Sequence, residues 1–246
     1  ADVGPLPVRA PLELAISGVL VEERTYADPI TQIMEQSAPY DAETPIRDLI
    51  EPLRKASSDP RITGVILNLN HLQGGGIAKL SEVGEAIKDF KRSGKPVIAY
   101  ADNYNQEQYF LASYADEIVV NSMGGVLFTG FGYYGSYLKE AADKLKINVH
   151  VFKVGKFKSA VEPFTRNDMS DEARENTRDW IDSLWGQYTA AIERNRELPA
   201  GTVDTYANDL PALLEKNHGD LGSLALDSRL VDLVLPRTQL TAKLQG

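Results

Sequence analysis

A lysine set among apolar side chains can accept a proton near neutral pH. Lys158, in the stretch GKFKSAVEPF, has that setting, because Phe157, Ala160 and Val161 around it are apolar. To work as a base its pKa must come down from about 10.4 to roughly 7–8; at about 1.36 kcal/mol per unit this is about 4 kcal/mol of destabilisation of the ammonium, which burial can supply. Residue pattern alone leaves a second reading open: a surface lysine whose stem lies along apolar surface while its head stays in water, as expected of Lys153 and Lys156. Ser159 follows directly, but in an extended segment adjacent side chains point to opposite faces, so it is a poor nucleophile for Lys158. Its hydroxyl could instead help to hold the lysine amine.

Two glycine-rich turns, HLQGGG and MGGVLFTGFG, are the other candidates. Glycine lets backbone amides approach a ligand closely, as an oxyanion hole requires, although tight packing alone also calls for glycine. Neither turn has the GxGxxG pattern of a dinucleotide site, and no GxSxG surrounds a serine. His71, His150 and His218 lack the spacing of a helical zinc pair, and there is no cysteine, which excludes thiol nucleophiles, disulfides and thiolate metal sites. With 26 Lys+Arg against 35 Asp+Glu the net charge is -9, and no long basic run offsets it, so nucleic acid is not an expected partner. No apolar run reaches the roughly 18 residues of a membrane span, and the N-terminus does not read as a signal peptide; a chain separated from an upstream anchor would look the same.

The elements that must position these groups alternate between strand and helix patterns. Residues 1–11, with three prolines, read as an extended lead-in, and Leu12 to Glu23 as a strand or bent hairpin. Residues 24–43 read as a loop, followed by a helix capped by Thr44 with Pro45 at its first position and a kink at Pro52. Ile62 to Asn70 is a short, nearly all-apolar segment suited to a central strand. Leu80, Val83, Ile87 and Phe90 then mark one face of a helix ending at Gly94. Further strands are expected at KPVIAYAD, DEIVVNS and VHVFKV, and helices at NQEQYFLASYA and YYGSYLKEAADKLKIN. From Asp171 onward the pattern is helical, with Trp180, Leu184, Tyr188 and Ile192 as a core-facing stripe. Strands joined by crossovers of this length imply an α/β domain with parallel pairing, and one domain over 12–246 is the simplest count.

The segments ITGVILNLN with GGG, SGKPVIAYADNYNQEQYFLASYADEIVVNSMGGVLFTGFG, and VHVFKVGKFKSAVEPFTRNDMSDEAREN resemble, in order, the N-terminal half of the long, tandem-repeat signal peptide peptidase A (protease IV) family. KSAVEPF is the most specific of these elements. The resemblance implies a Clp protease/crotonase-like fold of repeated β-β-α units with a helical C-terminal region. It also implies a membrane-anchored, self-associating (tetrameric) serine endopeptidase at the periplasmic face of the bacterial inner membrane, which degrades signal peptides after their release without cofactor or metal. Lys158 occupies the position of the family's catalytic lysine. The family's serine lies in an SGGY-type motif of the second half; the stretch equivalent to it here is NYNQEQYFLAS, where Tyr104 to Glu107 stand in place of the small residues and Ser113 is expected to be structural.

The resemblance makes HLQGGG, with Gly74 and Gly75, a degenerate counterpart of the oxyanion glycines. The expectation is therefore a chain that contributes the base while the nucleophile lies in a C-terminal half outside it, and that is inactive by itself. Two alternatives stand beside this: a non-catalytic oligomer-assembly domain, and an acyl-CoA-binding crotonase-like enzyme. For the second, the only carboxylates next to a turn are Asp102 and Glu107.

Overall fold

Strand β3 (Ile62–Gly74) is buried from Gly64 to Leu67 and again at Leu69, as its apolar composition requires for a strand covered on both faces. The computed structural model of the chain describes residues 9–25, 43–146 and 162–245. These fall into two compact units: Ala1–Thr129 with Thr189–Gly246, and Gly130–Tyr188.

In the first unit β3 is flanked by β1 (Ala10–Val21) and β4 (Val97–Ala101). Outside these lie β2 (Glu43–Pro45), next to β1, then β5 (Glu117–Val120), next to β4, and β6 (Leu233–Val234) at the far edge. Every pairing is parallel, with Leu14 opposite Leu67, Leu67 opposite Ala99, and Ala99 opposite Ile118. Parallel neighbours need crossovers, here α1 (Arg47–Ser58), α2 (Ile77–Lys91) and α3 (Gln106–Ala112). Helix α1 packs on α2, and α2 on α3. Leu80, Val83, Ile87 and Phe90 form the buried face of α2, as their spacing predicts. Fully burying each such side chain contributes about 1.5–3 kcal/mol.

The second unit holds α4 (Lys139–Lys144), α5 (Glu162–Thr165) and most of α6 (Asp171–Asn195). Phe131, Trp185 and Tyr188 form its aromatic cluster, Trp185 stacked on Tyr188 at 5.4 Å. The chain then returns to the first unit through α7 (Thr202–Asn208), α8 (Leu210–Lys216), α9 (Leu221–Asp227), β6 and α10 (Arg237–Gln245). This is the helical C-terminal region expected.

Four local expectations are corrected. Thr44 and Pro45 belong to β2, not to a helix start: the Thr44 hydroxyl donates to the Ser17 carbonyl at 2.7 Å, and Ile46 precedes α1 without a side-chain cap. Pro suits the end of a short edge strand, where its missing N–H costs nothing. Strand β3 continues through HLQG to Gly74, because β1 pairs with it as far as Val19 opposite Gly74. The helix expected over YYGSYLKEAADKLKIN covers only Lys139–Lys144 of the described residues, and Trp180 is 57% exposed, so the α6 stripe is buried only towards Tyr188 and Ile192. The strand expected at VHVFKV lies outside the described residues.

Candidate active-site region

The carboxyl ends of β3 and β4 open on a cavity of about 530 Å³ whose walls include Asn70, His71, Asp102, Asn105, Leu127 and Leu221. Parallel sheets place ligand sites at this end because the connecting loops and helix starts converge there. Polar side chains run across the strand ends as a connected chain. Asn68 donates to Glu13 and accepts from Asn70, Asn70 accepts from the Asp102 amide at 2.7 Å, and Asn121 donates to the Asp102 carboxylate at 3.0 Å. No serine or lysine lines the cavity among the described residues.

Helix α3 starts where the resemblance places the nucleophile's counterpart. Asn105 caps it, its side chain accepting from the amides of Glu107 and Gln108, while Gln108 reaches back to the Asn105 amide at 2.8 Å. This capping box satisfies the helix's free donors with its own residues. The other end of the Gln108 side chain is buried and donates to the carbonyls of Leu69 and Leu72, tying α3 to β3. Ser113 is fully buried, donates to the Phe110 carbonyl at 2.7 Å and accepts from Asn195 at 3.1 Å, which makes it structural.

Next to this helix start, the HLQGGG turn is closed from within. The Gly75 amide donates to the Glu107 carboxylate at 2.7 Å. Gly74, at φ +153°, lies so close to that carboxylate that a Cβ would collide with it. Gly76, at φ +78°, leads into α2. An amide held by an internal carboxylate is not free to stabilise an oxyanion. Glu107 and Asp102, the two carboxylates an acyl-CoA reading would need, are both engaged in internal hydrogen bonds.

The second glycine turn is closed mostly by backbone, with the Met123 amide donating to the Asn121 side chain at 3.0 Å. The Gly124 amide donates to the Asn121 carbonyl, the Tyr104 amide to the Gly125 carbonyl, and the Leu127 amide to the Tyr104 carbonyl, each at 2.9 Å. Behind it stand Tyr104, Tyr109, Phe128 and Tyr206 in edge-to-face contact. The three phenols are buried and donate to the carbonyls of Val119, Leu230 and Val126. Burial raises all three above the ordinary tyrosine pKa, Tyr206 to about 12.

Lys158 and Ser159 lie outside the described residues, as does His150. The KSAVEPF motif enters the structure at Glu162, whose side chain is buried. Its carboxylate accepts from the Ser170 amide at 3.0 Å and from the Ser170 hydroxyl at 2.6 Å. Sequence reasoning passed over Glu162, although an acid directly after apolar Ala160 and Val161 is itself a signal that something meets it. His71 is exposed on the cavity wall and His218 is exposed in a turn, and among the described residues no three His, Asp or Glu side chains converge as a metal would require. No helix among the described residues is long and apolar enough to cross a membrane.

A parallel α/β sheet with its site region at the carboxyl strand ends defines a fold class that the comparisons place more closely. Residues 89–245 match Peptidase family S49, and the chain belongs to that family. It is 39% identical over 239 residues to Protease 4 of Haemophilus influenzae, covering 96% of this chain and 38% of that protein. To Protease 4 of Salmonella typhi it is 38% identical over 228 residues, covering 91% and 37%. The chloroplastic serine protease SPPA of Arabidopsis thaliana is 25% identical over 191 residues, covering 77% and 28%. The chain thus spans less than two fifths of the length of these curated relatives. Among solved structures, a serine-to-alanine variant of the 1510-N membrane-bound stomatin-specific protease shares the fold with a TM-score of 0.50 at 12% identity, covering 97% of this chain and 86% of that one. The Clp protease/crotonase-like fold and the serine peptidase family expected from KSAVEPF and its flanking segments are both found.

Proposed function

We propose that this chain supplies the general base of a Ser/Lys serine endopeptidase, Lys158, and that the nucleophilic serine and the oxyanion amides come from a further polypeptide segment. The observation that carries this reading is the KSAVEPF motif in a chain whose α3 start offers no hydroxyl: Asn105 takes the cap there, and Ser113 is committed to Phe110 and Asn195. The Gly75 amide, held by Glu107, supports the same division of labour.

Neutral Lys158 takes the proton from the serine hydroxyl as its oxygen attacks the scissile carbonyl, and the ammonium so formed returns the proton to the leaving amine. No metal or cofactor takes part in these steps. The substrates are signal peptides after their release, together with other peptides. The working form is a membrane-anchored homo-oligomer, a tetramer, at the periplasmic face of the inner membrane.

In the complete polypeptide, Lys158→Ala is expected to lower kcat on a fluorogenic signal-peptide substrate by about 10²–10⁴-fold while the thermal transition stays in place. Turnover at the parental rate would remove the assignment. A second role, in assembly, is favoured by the exposed Tyr133, Tyr134, Leu138, Leu145, Phe164 and Trp180 of the second unit. Assaying this chain alone, and again mixed with the serine-bearing segment, separates the two: turnover only in the mixture is the catalytic result.

A further inference from the structure

The last residues of KSAVEPF are held at three points. Both carboxylate oxygens of Glu162 accept from Ser170, one from its amide at 3.0 Å and one from its hydroxyl at 2.6 Å. One residue on, the Pro163 carbonyl accepts from the Leu138 amide at 2.6 Å. Ser170 is also the cap of α6: its hydroxyl accepts from the Ala173 amide at 3.2 Å and its carbonyl from the Arg174 amide at 2.9 Å. In a capping box the third helical residue is Glu or Gln and bonds back to the cap amide. Here that position is Ala173, and Glu162, eight residues before the cap, makes the bond instead. A carboxylate at this end of a 25-residue helix also meets the positive end of its dipole.

Capping α6 would not by itself require an acid from this particular motif. A Glu or Gln at position 173 would serve the helix locally, without a bond reaching across eight residues. What the observed arrangement achieves in addition is to fix one end of the segment that carries the proposed base. Lys158 lies four residues before Glu162, a covalent reach of at most about 14 Å. The Tyr137 phenol feels the same carboxylate: its pKa is raised by its own desolvation and then by the Glu162 charge.

We infer that Glu162 is a positioning residue for the peptidase reaction: by clasping Ser170 at the cap of α6 it anchors the segment on which Lys158 hangs. This rests on the reading of Lys158 as the base. Loosening the clasp displaces the lysine amine from the serine proton it must take, so the loss falls on the chemical step rather than on substrate binding.

The test uses the complete polypeptide and a fluorogenic signal-peptide substrate, with kcat expressed per titrated active site. Glu162→Ala is expected to lower kcat on the order of 30-fold with KM within about twofold. Glu162→Gln, which keeps an acceptor for the Ser170 amide, recovers most of the loss. Ser170→Ala gives a smaller loss, and combining it with Glu162→Ala adds little, since both open one clasp. A lowered melting temperature with kcat per active site and KM unchanged would overturn the inference, leaving Glu162 a helix cap only. Equal losses in the Ala and Gln variants would overturn it as well. Lys158→Ala measured alongside separates the two ideas: if that variant keeps its turnover, the base assignment has failed, whereas its inactivity beside a fully active Glu162→Ala removes only the positioning role.

Discussion

The two glycine turns at the carboxyl end of the sheet look alike in sequence and are held by opposite means. In the HLQGGG stretch, which β1 pairs with as far as Gly74, the Gly75 amide is held by one side chain, Glu107, from the next crossover, and that amide would be free without it. The MGG turn depends mostly on backbone and volume: besides the Met123 amide, which donates to the Asn121 side chain, its amides and carbonyls pair with the backbone of Asn121 and Tyr104, a Cβ on Gly124 would fall on the Asp102 carbonyl, and one on Gly125 would fall on Leu221. A turn closed by a replaceable carboxylate retains the outline of an anion-binding site. A turn closed by its own backbone is architecture. Glycine content alone does not tell the two apart.

The largest effect that sharpens this contrast comes from pH. Tyr104, Tyr109 and Tyr206 lie behind the MGG turn, and their neutral forms are favoured by burial. Their folded pKa values are raised, so the stability they contribute is fully present below the unfolded value of about 10 and is lost as pH rises through the folded values. For Tyr206 that window closes at about 12, and for the other two it extends higher. Just above pH 10 the three together should remove up to about 4 kcal/mol per pH unit, read from guanidinium unfolding midpoints between about pH 9 and 11. A flat alkaline profile would show the aromatic cluster open to water.

Gly124→Ala comes next. The added methyl meets backbone, which cannot rotate away, and the expected loss is about 3 kcal/mol in the same unfolding measurement. A smaller loss, below about 1 kcal/mol, would mean that the Asp102 strand end yields and that the two turns differ less than their contacts suggest.

The smallest effect belongs to the first turn. Glu107→Ala should cost about 1.5 kcal/mol and leave the rest of the fold in place, with hydrogen exchange quickened at the Gly75 amide and unaltered at Gly124. If both turns exchange faster in that variant, they form one cooperative unit and the contrast between them fails.

Much of this molecule is legible wherever the signal is local. The apolar run of β3, the i, i+3, i+4 face of α2 and the short strands β4 and β5 follow from periodicity alone, and KSAVEPF leads to the peptidase family. What stays hidden involves distant partners or residues with two uses. Thr44 and Pro45 fit a helix start and an edge strand equally well, and only the Ser17 carbonyl decides between them. The Glu107 bond to Gly75 spans 32 residues, so no window along the chain displays it. Strand β6, two residues long, carries no period and exists only because β5 pairs with it. Trp180 fits the stripe of a buried helix but sits on a turn of α6 where that stripe faces outward.

That last strand also affects how the protein is made. Asp232, just before β6, accepts from the Ile118 amide of β5 across 114 residues. At ribosomal rates this separation takes roughly 6–23 s to synthesise, and until then the outer edge of β5 has no partner on that side. A nascent chain at this stage offers an open strand to other chains, so chaperone occupancy is expected to fall sharply as residues 231–234 leave the exit tunnel.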